Sequence, residues 1–209
     1  GTGRPAARDM VITISENKIS TIEKGPYKSI GETDREIIDL KGGYVLPGFW
    51  NNHSHLSDLL PDVNDILGKE NTVSSTIRAG RNAMDAIKRG FTSLRSTGSR
   101  DYLDVYWGKA FKDGVFIGPT IYPAGNPIAA VGGHGIDDYA WPATIAINGP
   151  KEMRKAVREH VRMGVNWIKI MADELQDNEI IAAVQIAHQN NVKVVAHAAE
   201  EGAYRAIKA

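Results

Sequence analysis

From residue 45 onward the sequence alternates between short apolar, β-branched runs and helical segments, with no tight hairpin link between successive runs. Strands arranged this way pair in parallel, and the intervening helices carry the chain back across the sheet. The candidate strands are the run ending at Val45-Leu46-Pro47-Gly48-Phe49-Trp50-Asn51-Asn52-His53-Ser54-His55-Leu56, then Phe91–Ser96, Pro119–Ala124, Asn166–Met171 and Val192–His197. Helices are expected over 73–89, 101–112, 151–162 and 178–189, with a last one opening near Glu200, and Gly90 and Gly164 stand where C-terminal stops belong. Five strand–helix units are visible, whereas a closed (β/α)8 barrel needs eight and about 250 residues. The expected fold is therefore α/β, a TIM-type barrel of which about five units are present, incomplete at its C-terminal end.

Residues 9–44 alternate in the β manner instead. Met10–Ile14 and Ile19–Ile22 flank the turn residues Glu16-Asn17-Lys18 as the arms of a hairpin, and Arg35–Leu40 leads through a Gly42-Gly43 turn toward the next strand. The expected organisation is an N-terminal β segment over 1–44 and a barrel over 45–209.

Composition removes several function classes. Lys+Arg and Asp+Glu both number 25, so no basic surplus points to nucleic acid. No apolar run approaches the roughly 20 residues that span a bilayer, so no membrane partner is expected. The chain has no cysteine, which excludes disulfides, thiolate metal ligands and a cysteine nucleophile. That fits a reducing compartment, and the expected location is cytoplasmic, with export after removal of a leader as the alternative.

The chemistry-bearing residues fall at strand ends. Side chains alternate along a strand, so His53 and His55 point to one face at the end of what should be a buried strand, while Asn52 and Ser54 point to the other. An isolated His-x-His pair also occurs on exposed strands, so the pair gains meaning from Lys169 in the fourth strand and His197 at the end of the fifth. In parallel α/β folds such groups gather at the C-terminal ends of the strands. Three imidazoles can hold a divalent ion and lower the pKa of its water to about 7. Lys169 is the one charge among Trp167, Ile168, Ile170 and Met171. An ordinary strand-end lysine is the plain alternative, but a desolvated amine near a cation is pushed toward its neutral form and can take up carbon dioxide as a carbamate.

Those residues resemble the signatures of the amidohydrolase superfamily of metal-dependent hydrolases, in its imidazolonepropionase-like and Xaa-Pro dipeptidase-like branch. Pro47-Gly48 with His53-x-His55 resembles the first strand of that family, and Phe91–Arg95 its second. Gly132-Gly133-His134-Gly135 looks like the glycine-rich loop after strand three, Trp167–Met171 like the strand bearing a carboxylated lysine, and Val194–Ala198 like the fifth strand. The N-terminal segment is similar to the half of a small β-sandwich that precedes the barrel.

The resemblance implies that His53 and His55 bind one metal, that Lys169 bridges two ions as a carbamate, and that His197 binds the second. The implied cofactor is a divalent metal, zinc first, as one or two ions. The implied reaction is attack of a metal-bound hydroxide on an amide or peptide-type C–N bond, dipeptidase- or carboxypeptidase-like. A cyclic amidohydrolase or deaminase on the same site is the alternative, as is a non-catalytic metal-binding fragment. A small-molecule or dipeptide-like substrate and a homo-oligomer complete the expectation. The family also uses a histidine after strand six and an aspartate after strand eight, and neither position falls within these 209 residues. Asp173 and Glu174 are not put in their place. The family's second strand usually ends in Arg-Asp, but here Arg95 is followed by Ser96-Thr97.

The remaining candidates carry two readings each. His134 is a substrate contact on a mobile loop or a turn residue without a role. Arg95 grips a substrate carboxylate or makes a structural ion pair. Tyr122 and Trp141 line a pocket or simply pack. His160 and His188 are expected on helix surfaces, and Gly125-Asn126-Pro127 as a turn.

Overall fold

The computed structural model describes residues 5–27, 36–58, 70–136 and 143–209. Arg35 and Trp141 lie outside the described residues. The chain divides into two compact units, Gly1–Pro47 and Gly48–Ala209. In the first, β1 (Met10–Ser15) pairs antiparallel with β2 (Lys18–Lys24), as the turn residues required. Glu16 and Asn17 link them with φ of 49° and 63°, the positive-φ pair of a two-residue hairpin turn. Residues 36–40 form no strand. They run into a second turn, where the Gly43 N–H donates to the Leu40 carbonyl at 2.8 Å.

The second unit is a mixed α/β fold with parallel sheets. In chain order its elements are β3 (Phe49–Ser54), α1 (Thr72–Lys88), β4 (Phe91–Ser96), α2 (Leu103–Lys112), β5 (Thr120–Tyr122), β6 (Ile128–Ala130) and β7 (Ile145–Ile147). They continue as α3 (Pro150–Met163), β8 (Trp167–Met171), α4 (Asp177–Gln189), β9 (Lys193–His197) and α5 (Glu200–Lys208). The strands pair in the orders β3-β4-β5 and β7-β6-β8-β9, every pair parallel. The Pro123 carbonyl, just past β5, accepts the N–H groups of Asn166 and Trp167 at 2.8 and 3.2 Å and ties the two sheets together. Strands β6 and β7 were not expected, because three residues are too few to show an alternation.

One face of each sheet is covered by helices. Ile168 and Ile170 of β8 belong to a buried cluster with Met153 and Val157 of α3 and Ile180, Ala183 and Ala187 of α4. Leu94 of β4 and Ile121 of β5 pack with Ala79 and Ala83 of α1. By strand alternation Arg95, Tyr122, Trp167, Lys169 and Met171 project from the other face.

Two glycines mark close approaches. A Cβ on Gly48 would sit 2.0 Å from the Thr92 hydroxyl, so the glycine lets the start of β3 lie against β4. A Cβ on Gly80 would sit 2.1 Å from the Trp107 ring. Alanine in a helix interior normally stabilises by about 1 kcal/mol over glycine, but overpacking costs about 1–3 kcal/mol. Gly80→Ala is therefore expected to lower stability by about 1–2 kcal/mol in urea unfolding; a gain would show that Trp107 moves aside freely.

Three expectations are corrected. Strand β3 is half-exposed rather than buried, with Phe49 and Trp50 at 50% and 51%, and among the described residues it pairs with β4 alone. Helix α2 begins at Leu103 rather than 101, after a 3-10 turn over Arg100–Tyr102 in which Asp101 and Tyr102 take positive φ. That start puts Asp104 into the interior, where its carboxylate accepts the N–H groups of Val105, Ala124 and Gly125 at 2.9, 2.9 and 3.0 Å. His160 is fully buried rather than on a helix surface. It stands seven residues after Met153, on the apolar stripe with Ala156 and Val157, and its Nε2 lies 2.7 Å from the Asn126 carbonyl.

Below β3, Arg78 of α1 pairs with Glu70 and its Nε donates to the Ser57 carbonyl at 2.6 Å. Burial pushes the nearby Asp58 carboxyl up to about 6, against the attraction of Arg78. The folded pKa stands above the unfolded one, so the folded state holds the proton more tightly. Stability from this group is present at low pH and is lost as pH rises from about 4 to about 6. Asp58→Asn is expected to add on the order of 1 kcal/mol at pH 7, after discounting for solvent screening, and nothing at pH 3. Thermal melts at the two pH values check the difference. Among the described residues no helix is long and apolar enough to cross a membrane.

Candidate active site

Three histidines and one lysine come from three segments of the second unit, the end of β3, β8 and β9. His53 is the last residue but one of β3 and His55 follows the strand, their ring centroids 5.2 Å apart with one edge toward the other face. The His55 Nδ1 lies 3.2 Å from the Gly98 carbonyl, which can only accept, so Nδ1 carries the proton and Nε2 keeps a lone pair. The Thr97 hydroxyl reaches that Nε2 at 3.4 Å. Burial, and then the neighbouring His53 and Lys169, lower the His55 pKa to about 4 against the pull of the Gly98 carbonyl. Burial first, then Lys169, Arg95 and His197, lowers that of His53. His197 is lowered by burial, then by Lys169 and His134, with Asp173 and Glu174 opposing. All three shifts favour the neutral imidazole, the form that ligates a metal.

Lys169 is their common neighbour. It is 2% exposed, and burial, then Arg95, lowers its pKa to about 8. The neutral amine then makes up about a tenth of the population at pH 7, against fewer than about one in a thousand for a free lysine. No carboxylate partner relieves that charge among the causes of its shift. The donor set suits a divalent ion of the zinc type: neutral nitrogen ligands, one tautomer fixed by a backbone carbonyl, and a buried amine. Among the described residues, however, no three histidines or carboxylates are drawn together closely enough to hold an ion as they stand. His197 stacks on His134, with centroids 4.8 Å apart and planes at 15°.

The other candidates resolve individually. His134 is an exposed loop residue against His197. The Arg95 Nε donates to the Asn52 carbonyl at 2.6 Å and its guanidinium lies over Trp167, 5.2 Å from the ring centroid, with no ion pair among the described residues. Tyr122 packs, stacked on Trp50 at 4.8 Å. His188 is exposed near the end of α4. Behind Lys169, Arg205 of α5 donates to the carbonyls of Leu175, Ala172 and Asp173 at 2.5, 3.2 and 2.9 Å. The Asp173 carboxylate accepts the Ala199 N–H at 2.9 Å, so the loops after β8 and β9 are cross-tied. The sequence reading missed this brace, and also Thr97 and Asn51 beside the histidines. Asn51-Asn52 ahead of His53 was the available signal, since asparagine side chains bond backbone two residues on.

The model of the amidohydrolase family matches residues 44–209. An ochratoxinase from Aspergillus niger is 27% identical over all of this chain and 50% of its own. A solved Xaa-Pro dipeptidase with bound methionine in the active site superposes with a TM-score of 0.80 at 30% identity, over 95% of this chain and 54% of that one. A putative prolidase from Bifidobacterium longum superposes at 0.75 and 27%, over 95% and 46%. The chain spans about half the length of the curated relatives it matches.

Proposed function

The chain belongs to the amidohydrolase family, and from that membership we infer that it forms part of a metal-dependent hydrolase cleaving an amide or peptide-type C–N bond. The second unit then supplies strands of a (β/α)8 barrel, and the first unit contributes to a composite β-sandwich. One observation carries the reading: Lys169, 2% exposed, is the electrostatic neighbour of His53, His55 and His197 at once. The names of the similar proteins, a dipeptidase, a prolidase and an ochratoxinase, support a dipeptidase- or carboxypeptidase-like substrate class.

In this reading His53, His55, His197 and Lys169 hold one or two divalent ions, zinc first. A bound ion supplies Lewis acidity and activates water at neutral pH. The protein's own groups do the rest. The Gly98 carbonyl fixes the tautomer of His55 and so aims its Nε2. The Lys169 ammonium first gives up one proton; the neutral amine then adds to carbon dioxide, forming an N–C bond and releasing a second proton, so the side chain passes from one positive charge to one negative charge. Without that change, an ammonium beside three would-be ligands repels any cation. His134, exposed and stacked on His197, is the group whose ring would meet a substrate in this reading.

Metal analysis of the full-length protein together with a hydrolysis screen over dipeptides and N-acyl amino acids tests the proposal. Bound divalent metal, with turnover falling about 100-fold or more in His53→Asn, is the expected result. Bound metal with no turnover on any amide would replace the enzyme by a metal-binding module.

A further inference from the structure

We propose that Asn51 and Arg95 are positioning residues that hold a one-residue bulge in β3, and that this bulge turns His53 toward Lys169. The proposal rests on the metal-site reading above and explains two residues which that reading leaves without a role. Register carries the argument. Asn51 pairs with Leu94 and Ser54 with Ser96, so β3 advances three residues while β4 advances two. One extra residue reverses the alternation of side chains beyond it.

Before the bulge, Trp50 faces Tyr122 and stacks on it. Tyr122 is the register partner of Arg95, and Arg95 covers Trp167, which shares its face with Lys169. Unbroken alternation would place Asn52 on that face and His53 on the opposite one. With the bulge, the alternation resumes one residue later and places His53 on the face of Lys169.

A bulge takes backbone groups out of the ladder, and each must find another partner. The Asn51 Oδ1 accepts the His53 N–H at 3.0 Å, a side-chain turn spanning two residues. Arg95 Nε donates to the Asn52 carbonyl at 2.6 Å. The Ser54 hydroxyl donates to the Arg95 carbonyl at 2.9 Å, and the Thr97 N–H to the Ser54 carbonyl at 3.0 Å. Asn51 and Arg95 thus grip the bulged stretch from both sides, one through the amide of the ligand itself.

Zinc affinity of the full-length protein, read by competition with a chelator, provides the test. Asn51→Ala should bind zinc about 10–100-fold more weakly, with an unchanged circular-dichroism spectrum, and the His53 amide should exchange with solvent faster. Asn51→Asp keeps an acceptor in place and should restore both. For Arg95→Met the sign discriminates. Removing a cation beside the site would by Coulomb's law tighten zinc binding, whereas loss of the grip on Asn52 should weaken it. Unchanged affinity in Asn51→Ala, or tighter binding in Arg95→Met, overturns the proposal. If the wild type takes up no zinc, the hydrolase reading fails separately, and His53 exchange then decides: faster in Asn51→Ala sustains the bulge lock, unchanged exchange sinks it.

Discussion

Lys169→Ala is expected to lower bound metal and amide turnover by about 100-fold or more, with the fold intact. The reasoning begins with charge. Alanine removes an amine that is 2% exposed, whose pKa burial has lowered to about 8 and which has no carboxylate among the causes of its shift, so no partner charge is stranded. Were the lysine a plain structural cation, its loss would ease repulsion on His53, His55 and His197 and metal would bind more tightly. The carbamate reading gives the opposite sign, because two anionic oxygens vanish with the side chain. Added formate or another short carboxylate should restore part of the metal and part of the rate. Labelled bicarbonate should give a carbamate carbon resonance in the wild type that the variant lacks. Unchanged metal content in Lys169→Ala would remove the bridging role.

Asp104→Ala is expected to cost about 3–5 kcal/mol, which for a chain of this size is a fall in melting temperature of about 10 °C. The carboxylate is fully buried, and the alanine variant would leave the Ala124 and Gly125 N–H groups without an acceptor in a dry interior. Burial pushes the carboxyl of Asp104 above the ordinary range, so its charge is itself a burden that the hydrogen bonds offset only in part. Asp104→Asn keeps one acceptor oxygen and drops the charge, and should stay within about 1 kcal/mol of the wild type. An alanine variant as stable as the asparagine one would show that the loop after β5 does not depend on this carboxylate.

The parallel strand–helix order was legible because period-two and period-3.6 patterns are properties of neighbouring residues. The elements β4, β8 and β9 and the helices α1, α3 and α4 follow that pattern closely. What the sequence hid were effects of distance along the chain. His160 reads as a polar helix residue until Met153 and Val157 are seen to set its stripe, and its partner, the Asn126 carbonyl, lies 34 residues away. Strands β6 and β7 exist only through pairing with each other and with β8. The His53-x-His55 spacing correctly suggested a shared direction, but which face they share depends on a register shift that no spacing reveals. Arg95 is a further case: its contacts with the Asn52 carbonyl and the Trp167 ring join residues more than 40 positions apart, which no local pattern shows.

The clasp of Arg205 on Ala172, Asp173 and Leu175 sets an order of events during biosynthesis. A ribosome exposes the amine of Lys169 well before it has made the guanidinium that pins the segment just beyond it. The nascent chain therefore carries the segment after β8 unfastened until α5 emerges, and α5 acts as the latch that closes it.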